Sequence, residues 1–235
     1  MKYPLKRFDF STKITLYFTI WLIIAAAAIF FFLERNNTLQ DRNFLGAMVT
    51  SLFQSVTTRN IGFNTVDIAQ CTLPIILIFL FMMFVGAASG SSGGGIRVTT
   101  FALLYASARA TITGKRETEL FKRTIPDDLI YKAFSVFMYF VVGIFAGVLL
   151  LSYTEAHILA QENRTILDII FEEVSAFTTT GLSTGITSEL SGAGKFIAIV
   201  SMFIGRVGTL SVVYIFSRKL ISTAYKYPEE HILVG

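Results

Sequence analysis

Two short segments carry the residue types from which a cation site can be built. Thr57-Thr58-Arg59-Asn60-Ile61-Gly62-Phe63-Asn64-Thr65 and Phe177-Thr178-Thr179-Thr180-Gly181-Leu182-Ser183-Thr184 each set hydroxyl side chains around a glycine. An extended segment of this kind presents a row of main-chain carbonyls, and such oxygens can replace the water shell of a cation. Glycine supplies the φ that turns successive carbonyls the same way. The alternative for either segment alone is an ordinary turn at a membrane surface. A third stretch, Gly86-Ala87-Ala88-Ser89-Gly90-Ser91-Ser92-Gly93-Gly94-Gly95, holds five of the seventeen glycines and cannot stay helical at about 1 kcal/mol lost per glycine relative to alanine. It is not a phosphate loop, because Ile96-Arg97 stands where Lys-Ser/Thr would be needed and no strand precedes it.

Other chemistries lack their residues. Cys71 is the single cysteine, which excludes an intramolecular disulfide and thiolate metal sites. An intramembrane serine protease built on Ser89 needs a base within reach, yet His157 and His231 lie outside every apolar run. A net charge of +4 is better explained by loops on one side of a membrane than by nucleic-acid binding, and no nucleic-acid partner is expected.

The elements that position these segments belong to a bilayer. Of the 235 residues 53% are hydrophobic and 15% are charged, 23 are Phe, and mean hydropathy is +0.63. Ile14 to Leu33 is uncharged for twenty residues and Ala133 to Leu151 for nineteen, while Phe196 to Phe216 runs for twenty-one with one charge. Each is long enough to cross about 30 Å of hydrocarbon. Phe44 to Val56 and Ile166 to Thr178 have only thirteen residues each, which suits half-crossing helices. A further apolar run, Leu73 to Ala88, breaks into the Gly/Ser tract and resumes at Ile96. Irregular backbone at membrane depth persists only where protein or a water-filled cavity surrounds it.

One offset of 119 residues aligns the halves without a gap: Ile14 to Leu33 with Ala133 to Ser152, Gly62 with Gly181, and Met83-Phe84-Val85-Gly86 with Met202-Phe203-Ile204-Gly205. The repeat predicts an all-α membrane protein made of two parallel units, each a span, a half-helix, a Thr/Gly segment and a span. The recurrence argues against two unrelated surface turns. The expected division is a tail at 1–13, a first unit at 14–110, a basic loop at 111–132, a second unit at 133–216 and a tail at 217–235. Thirteen Lys and Arg fall in the tails and the central loop, against Arg35, Arg42, Arg59, Arg164 and Lys195 in the opposite loops, so both termini are expected in the cytoplasm.

The order of elements and the two Thr/Gly segments resemble the Trk/Ktr/HKT superfamily of potassium transporters. The Gly/Ser tract, Phe203-Ile204-Gly205-Arg206-Val207-Gly208 and the ending Tyr227-Pro228-Glu229-Glu230-His231-Ile232-Leu233-Val234-Gly235 are similar to KtrB-type membrane subunits. The resemblance implies four units around one pore in the plasma membrane, a bacterial inner membrane, with this chain similar to the third and fourth. It assigns ion-binding carbonyls to Asn60, Ile61, Gly62 and Phe63 and to Thr179, Thr180, Gly181 and Leu182. The first segment departs from the usual Thr-Ala-Gly-Phe by placing Asn60 and Ile61 before the glycine. The resemblance also implies a gate at Gly86, Ser89, Gly90, Ser91, Ser92, Gly93, Gly94 and Gly95. It further implies potassium as the transported ion and sodium as a coupling or activating ion; no covalent cofactor is expected. Implied partners are lipid, the first and second units from a separate chain or a second copy, a second complete transporter in a homodimer, and a cytoplasmic nucleotide-binding ring. A truncated or accessory half-subunit without transport of its own is the competing expectation.

Arg206 has ten apolar or small residues on each side within its run and so lies near the bilayer midplane. A guanidinium there costs about 2.5 to 3.5 kcal/mol and must face protein or water. A helix-packing ion pair is one explanation, although no span carries an acid at that depth. The repeat sets Arg206 beside the counterpart of Gly86, which predicts one barrier made by the arginine and the Gly/Ser loop. Asp168, Glu172 and Glu173 on the second half-helix, with Asp67 and Glu189 beyond the segments, either concentrate cations at a mouth or anchor their own elements.

Overall fold

The computed structural model describes residues 9–88, 91, 93–115, 117–161 and 164–217, the last ten by backbone alone. Ser89, Gly90 and Ser92 of the expected gate and the terminal motif from Tyr227 to Gly235 lie outside the described residues.

The chain forms α1 (Phe10–Glu34), α2 (Phe44–Thr57), α3 (Leu73–Val85), α4 (Val98–Ile112), α5 (Asp127–Thr154), the short α6 (Ala156–Leu159), α7 (Ile166–Phe177) and α8 (Gly192–Ser217). Single 3-10 turns stand at Ile68–Gln70 and Ile186–Ser188. Both α1 and α5 are long and apolar enough to cross a membrane. Only one stripe of α1 is buried, at Ile14, Phe18, Leu22, Ala26, Phe30 and Glu34, a spacing of four that keeps one helix face inward. Leu16, Ile20, Ile24 and Phe32 on its other faces are exposed, as expected of a helix solvated by lipid or by further protein.

Two groups of elements follow the same plan. α1, α2, Gly62, the first 3-10 turn and α3 recur as α5, α7, Gly181, the second 3-10 turn and α8. They differ after the last helix of each group. α3 stops at Gly86, which has φ +60°, and α4 resumes only at Val98, whereas α8 continues unbroken to Ser217. The Gly/Ser tract causes that break, since a run of glycines gains little from helix and loses much backbone freedom.

α1 packs on α2, α3 and α4, while α5 packs on α7, α8 and α4; the α3 contact with α7 joins the two groups. Lipid supplies no hydrophobic drive between helices, so close approach matters. Glycine notches provide it around α7. A β-carbon on Gly143 would stand 2.4 Å from the Phe177 ring, one on Gly147 2.0 Å from Glu173 Oε1, and one on Gly205 1.8 Å from the Phe177 carbonyl oxygen. Buried carboxylates close the tops of the long helices. Glu34 at the end of α1 accepts the N–H and hydroxyl of Thr72, the N-cap of α3, at 2.8 and 2.7 Å. Glu155 after α5 likewise accepts the N–H of Ser191, just before α8, at 3.0 Å, and its hydroxyl.

The central loop departs from a purely helical reading. Glu119–Leu120 (β1) pairs antiparallel with Arg123–Thr124 (β2), with Phe121 and Lys122 at φ 48° and 61° in the turn. Gly or Asn normally marks such a turn, so its sequence is silent.

Candidate functional site

The first Thr/Gly segment leaves α2 by a sharp reversal. The Thr57 carbonyl accepts the N–H groups of Asn60, Ile61 and Gly62 at 3.3, 3.1 and 3.2 Å. The Thr57 hydroxyl then donates to the Phe63 carbonyl at 3.0 Å and accepts its N–H at 2.9 Å. The second segment is held by the end of α7. The Ser175 carbonyl takes the Thr180 N–H at 3.0 Å and its hydroxyl takes the Gly181 N–H at 3.1 Å. Gly62 and Gly181 have φ +70° and +91°, and Thr179 is at +54°.

This bonding consumes donors on the helix side. Among the described residues, no backbone N–H donates to the carbonyls of Asn60, Ile61, Gly62, Thr179, Thr180, Gly181 or Leu182. Of the eight residues singled out in the sequence, Phe63 differs in that its carbonyl already accepts the Thr57 hydroxyl. The two segments run side by side, and a β-carbon on Gly62 would lie 2.2 Å from the Thr180 oxygen.

The described part of the Gly/Ser tract lies against both. The Gly94 N–H donates to the Thr179 hydroxyl at 3.0 Å. β-Carbons on Gly93 and Gly94 would stand 2.2 Å from Asn60 Oδ1 and 2.5 Å from the Thr178 oxygen. At its base the tract doubles back, with Ile96 N–H on the Phe84 carbonyl at 3.0 Å and Val98 N–H on the Ala87 carbonyl at 3.2 Å.

Two cations grip this reversal, and neither was singled out for it in the sequence. Arg59 sends its Nε and Nη2 to the Gly86 carbonyl at 3.1 and 2.8 Å. Arg97 sends Nη1 to the carbonyls of Ala88 and Ser91 at 2.9 and 2.8 Å. Arg59, expected among the loop cations, does lie in the turn after α2, but it is buried there at 7% exposed rather than solvated. Its position within a Thr/Gly segment was the available signal, since a charge in a dry segment requires a partner.

Arg206 lines a cavity of about 810 Å³ together with Glu172, Thr179, Gly181, Ser183 and Phe203. An acid on the short helix α7 thus faces the same space as Arg206 on α8. Glu172 accepts the hydroxyls of Ser183 at 2.8 Å and Thr187 at 2.5 Å, so it ties the chain beyond Gly181 to α7. Glu173 faces the opposite way and is buried, with no hydrogen-bond partner among the described residues. Gln54, 119 residues earlier, is buried and unpartnered in the same sense.

The remaining acids have local duties. Asp67 caps the first 3-10 turn by accepting the Ala69 N–H, Asp168 completes a capping box with Thr165 on α7, and Glu189 pairs with Arg164. Burial pushes the Glu155 carboxyl up, but the Ser191 hydroxyl and N–H and nearby His157 outweigh it and hold it below the ordinary value. His157 stands beside Glu155 with its side chain largely exposed.

Known proteins match this arrangement along its length. The model of the TrkH family, described as cation transport protein, matches residues 8–226. The Ktr system potassium uptake protein D of Bacillus subtilis is 38% identical over 235 residues, all of this chain and 50% of its own. The Ktr system potassium uptake protein B of Vibrio alginolyticus is 37% identical over 95% of this chain and 48% of its own. The crystal structure of the potassium transporter TrkH from Vibrio parahaemolyticus superimposes with a TM-score of 0.67 at 18% identity, covering 91% of this chain and 45% of that one. That likeness extends to the fold. The chain spans about half the length of the curated relatives it matches.

Proposed function

The chain belongs to the TrkH family of cation transport proteins, and from that premise we propose that it forms half of a potassium-conducting pore in the plasma membrane. Asn60 to Phe63 and Thr179 to Leu182 are its two filter segments. One observation carries this reading: Gly62 and Gly181, 119 residues apart in the sequence, both adopt positive φ on adjacent segments whose carbonyls are left free of described backbone donors. Oxygens arranged in this way replace the water shell of a potassium ion as it enters.

The Gly/Ser tract is the gate. It packs directly on both segments through Gly93 and Gly94, so an ion leaving the filter meets it first. Arg59 and Arg97 hold the tract in this closed form, and Arg206 adds a positive charge to the cavity beside it. Opening requires the tract to give up its bond to Thr179.

Two filter segments cannot surround an ion, and two more units complete the ring. The half length relative to the Ktr proteins supports this arithmetic. The exposed basic hairpin of β1 and β2 belongs to the cytoplasmic face, where a regulatory ring docks, with both termini on the same side. Sodium coupling and pairing of complete transporters are the further expectations of this assignment. The family match lends nothing to an intramembrane protease at Ser89.

Reconstitution tests the proposal. The purified chain alone in vesicles should give no selective rubidium flux, and the chain assembled with the two further units should give flux that potassium competes and sodium does not. Selective flux from a species whose mass in detergent equals one chain would refute the half-pore.

A further inference from the structure

Each half-helix is preceded by an arginine, and each arginine reaches the chain that leaves the Thr/Gly segment. Arg42 stands immediately before Asn43, the N-cap of α2, and its Nη2 donates to the Thr65 carbonyl at 2.9 Å. Arg164 stands immediately before Thr165, the N-cap of α7, and its Nη1 donates to the Thr184 carbonyl at 3.3 Å. Thr65 and Thr184 are each the third residue after the glycine of their segment. Counted from the N-cap, the donor position is the same in both units, although by the 119-residue offset Arg42 matches Gln161 and Arg164 matches Leu45. The ties of Thr72 to Glu34 and of Ser191 to Glu155 are a second contact that both units make beyond the glycine. Where the second unit has Glu172, Ser183 and Thr187, the first has Phe53, Asn64 and Ile68 at the matching positions.

We propose that Arg42 and Arg164 are positioning residues that clamp the outer ends of the two filter segments and thereby set discrimination between potassium and sodium. This rests on the reading of those segments as the filter. The inner ends are fixed by α2 and α7 through Thr57 and Ser175. A strand held at one end can pivot, and its carbonyls then follow a smaller ion; in the second unit Glu172 shares the hold through Ser183 and Thr187, so the first unit depends more on its arginine. The clamp closes each unit into a loop: down the half-helix, back along the segment and across the guanidinium to the start of the helix.

Arginine suits the task because its fork holds two acceptors at once. Arg42 also donates from Nη1 to the Thr50 hydroxyl of α2 at 2.6 Å, and Arg164 also pairs with Glu189 beyond the second 3-10 turn. Each guanidinium is thereby aimed before it meets the carbonyl. A lysine reaches one acceptor without a fixed orientation.

The experiment uses the completed transporter with Arg42→Gln, Arg42→Lys, Arg164→Gln and Arg164→Lys, and measures rubidium uptake against rising sodium together with thermal stability. All four should lower the rubidium-to-sodium preference severalfold per folded molecule, with lysine failing to restore it. Glu189→Gln, which loosens the aim of Arg164 while leaving it in place, should give a smaller fall and serves if an arginine variant does not fold. Folded variants with the parental preference, or with lowered stability alone, overturn the clamp. Gly62→Ser and Gly181→Ser measured alongside separate the two claims: lost preference there with none lost in the arginine variants refutes the clamp only, whereas no change in any variant refutes the filter as well.

Discussion

Gly62 lies so close to the main chain of Thr180 that a β-carbon built on it would stand 2.2 Å from the Thr180 oxygen. The contact joins the two Thr/Gly segments at their glycines, and it leaves Gly62 two separate reasons to be glycine, its φ of +70° and its neighbour.

Gly62→Ser should therefore harm more than Gly181→Ser, whose added β-carbon would meet nothing nearer than the Gly62 Cα at 3.9 Å. Both variants bear the strain of positive φ, about 1 to 3 kcal/mol. Only the first also displaces a carbonyl of the opposite segment. Rubidium uptake at rising sodium should show a larger loss of preference for Gly62→Ser, and equal losses would argue that the contact is unimportant.

Arg59 holds the Gly/Ser tract at its base through the Gly86 carbonyl. Arg59→Gln should loosen it and raise ion flux, as should shortening the stretch between Ala88 and Gly95. The measurement is rubidium efflux per folded transporter. Flux at or below the parental level in a well-folded variant would make the tract a linker.

Arg206→Gln should keep the protein folded and change the rate of permeation, because the side chain faces a cavity that contains Thr179 and Gly181. Were it a structural anchor, thermal stability would fall while flux per folded molecule stayed constant. Both quantities come from one preparation.

Glu173 and Gln54 occupy matching places on the two half-helices, each 0% exposed and unpartnered among the described residues. A buried carboxylate without donors is costlier than a carboxamide of the same shape. Glu173→Gln should leave the unfolding temperature unchanged or raised. Gly147→Ala, by contrast, sets a β-carbon 2.0 Å from Glu173 Oε1 and should cost about 1 to 3 kcal/mol. A lower unfolding temperature for Glu173→Gln would show that the charge is needed there.

Glu155 ties α5 to the start of α8, and its folded carboxyl lies below the ordinary value of 4.5. A lowered folded value means that the ionised form stabilises the fold above the unfolded value, and that this contribution is lost as pH falls through the folded one. Acid unfolding of the parent should thus include a component below about pH 4.5 that Glu155→Gln lacks. Identical acid profiles would remove Glu155 from that role.

The long and short helices and the break between α3 and α4 were legible in the residues because a long apolar helix needs a long uncharged run and a run of glycines ends a helix. Ile14 to Leu33 and Ala133 to Leu151 announced α1 and α5, and the run of glycines announced the gap between α3 and α4. The two glycines of positive φ were marked by their common offset. What the sequence could not decide was which charge meets which carbonyl. Arg59 read as a loop cation and is buried on Gly86; Arg42 and Arg164 read as diluted loop charges and hold Thr65 and Thr184. Hydrogen-bond partners 20 or more residues apart depend on where helices cross and chains reverse. An arginine side chain is long enough to choose among several such carbonyls, so packing makes the choice.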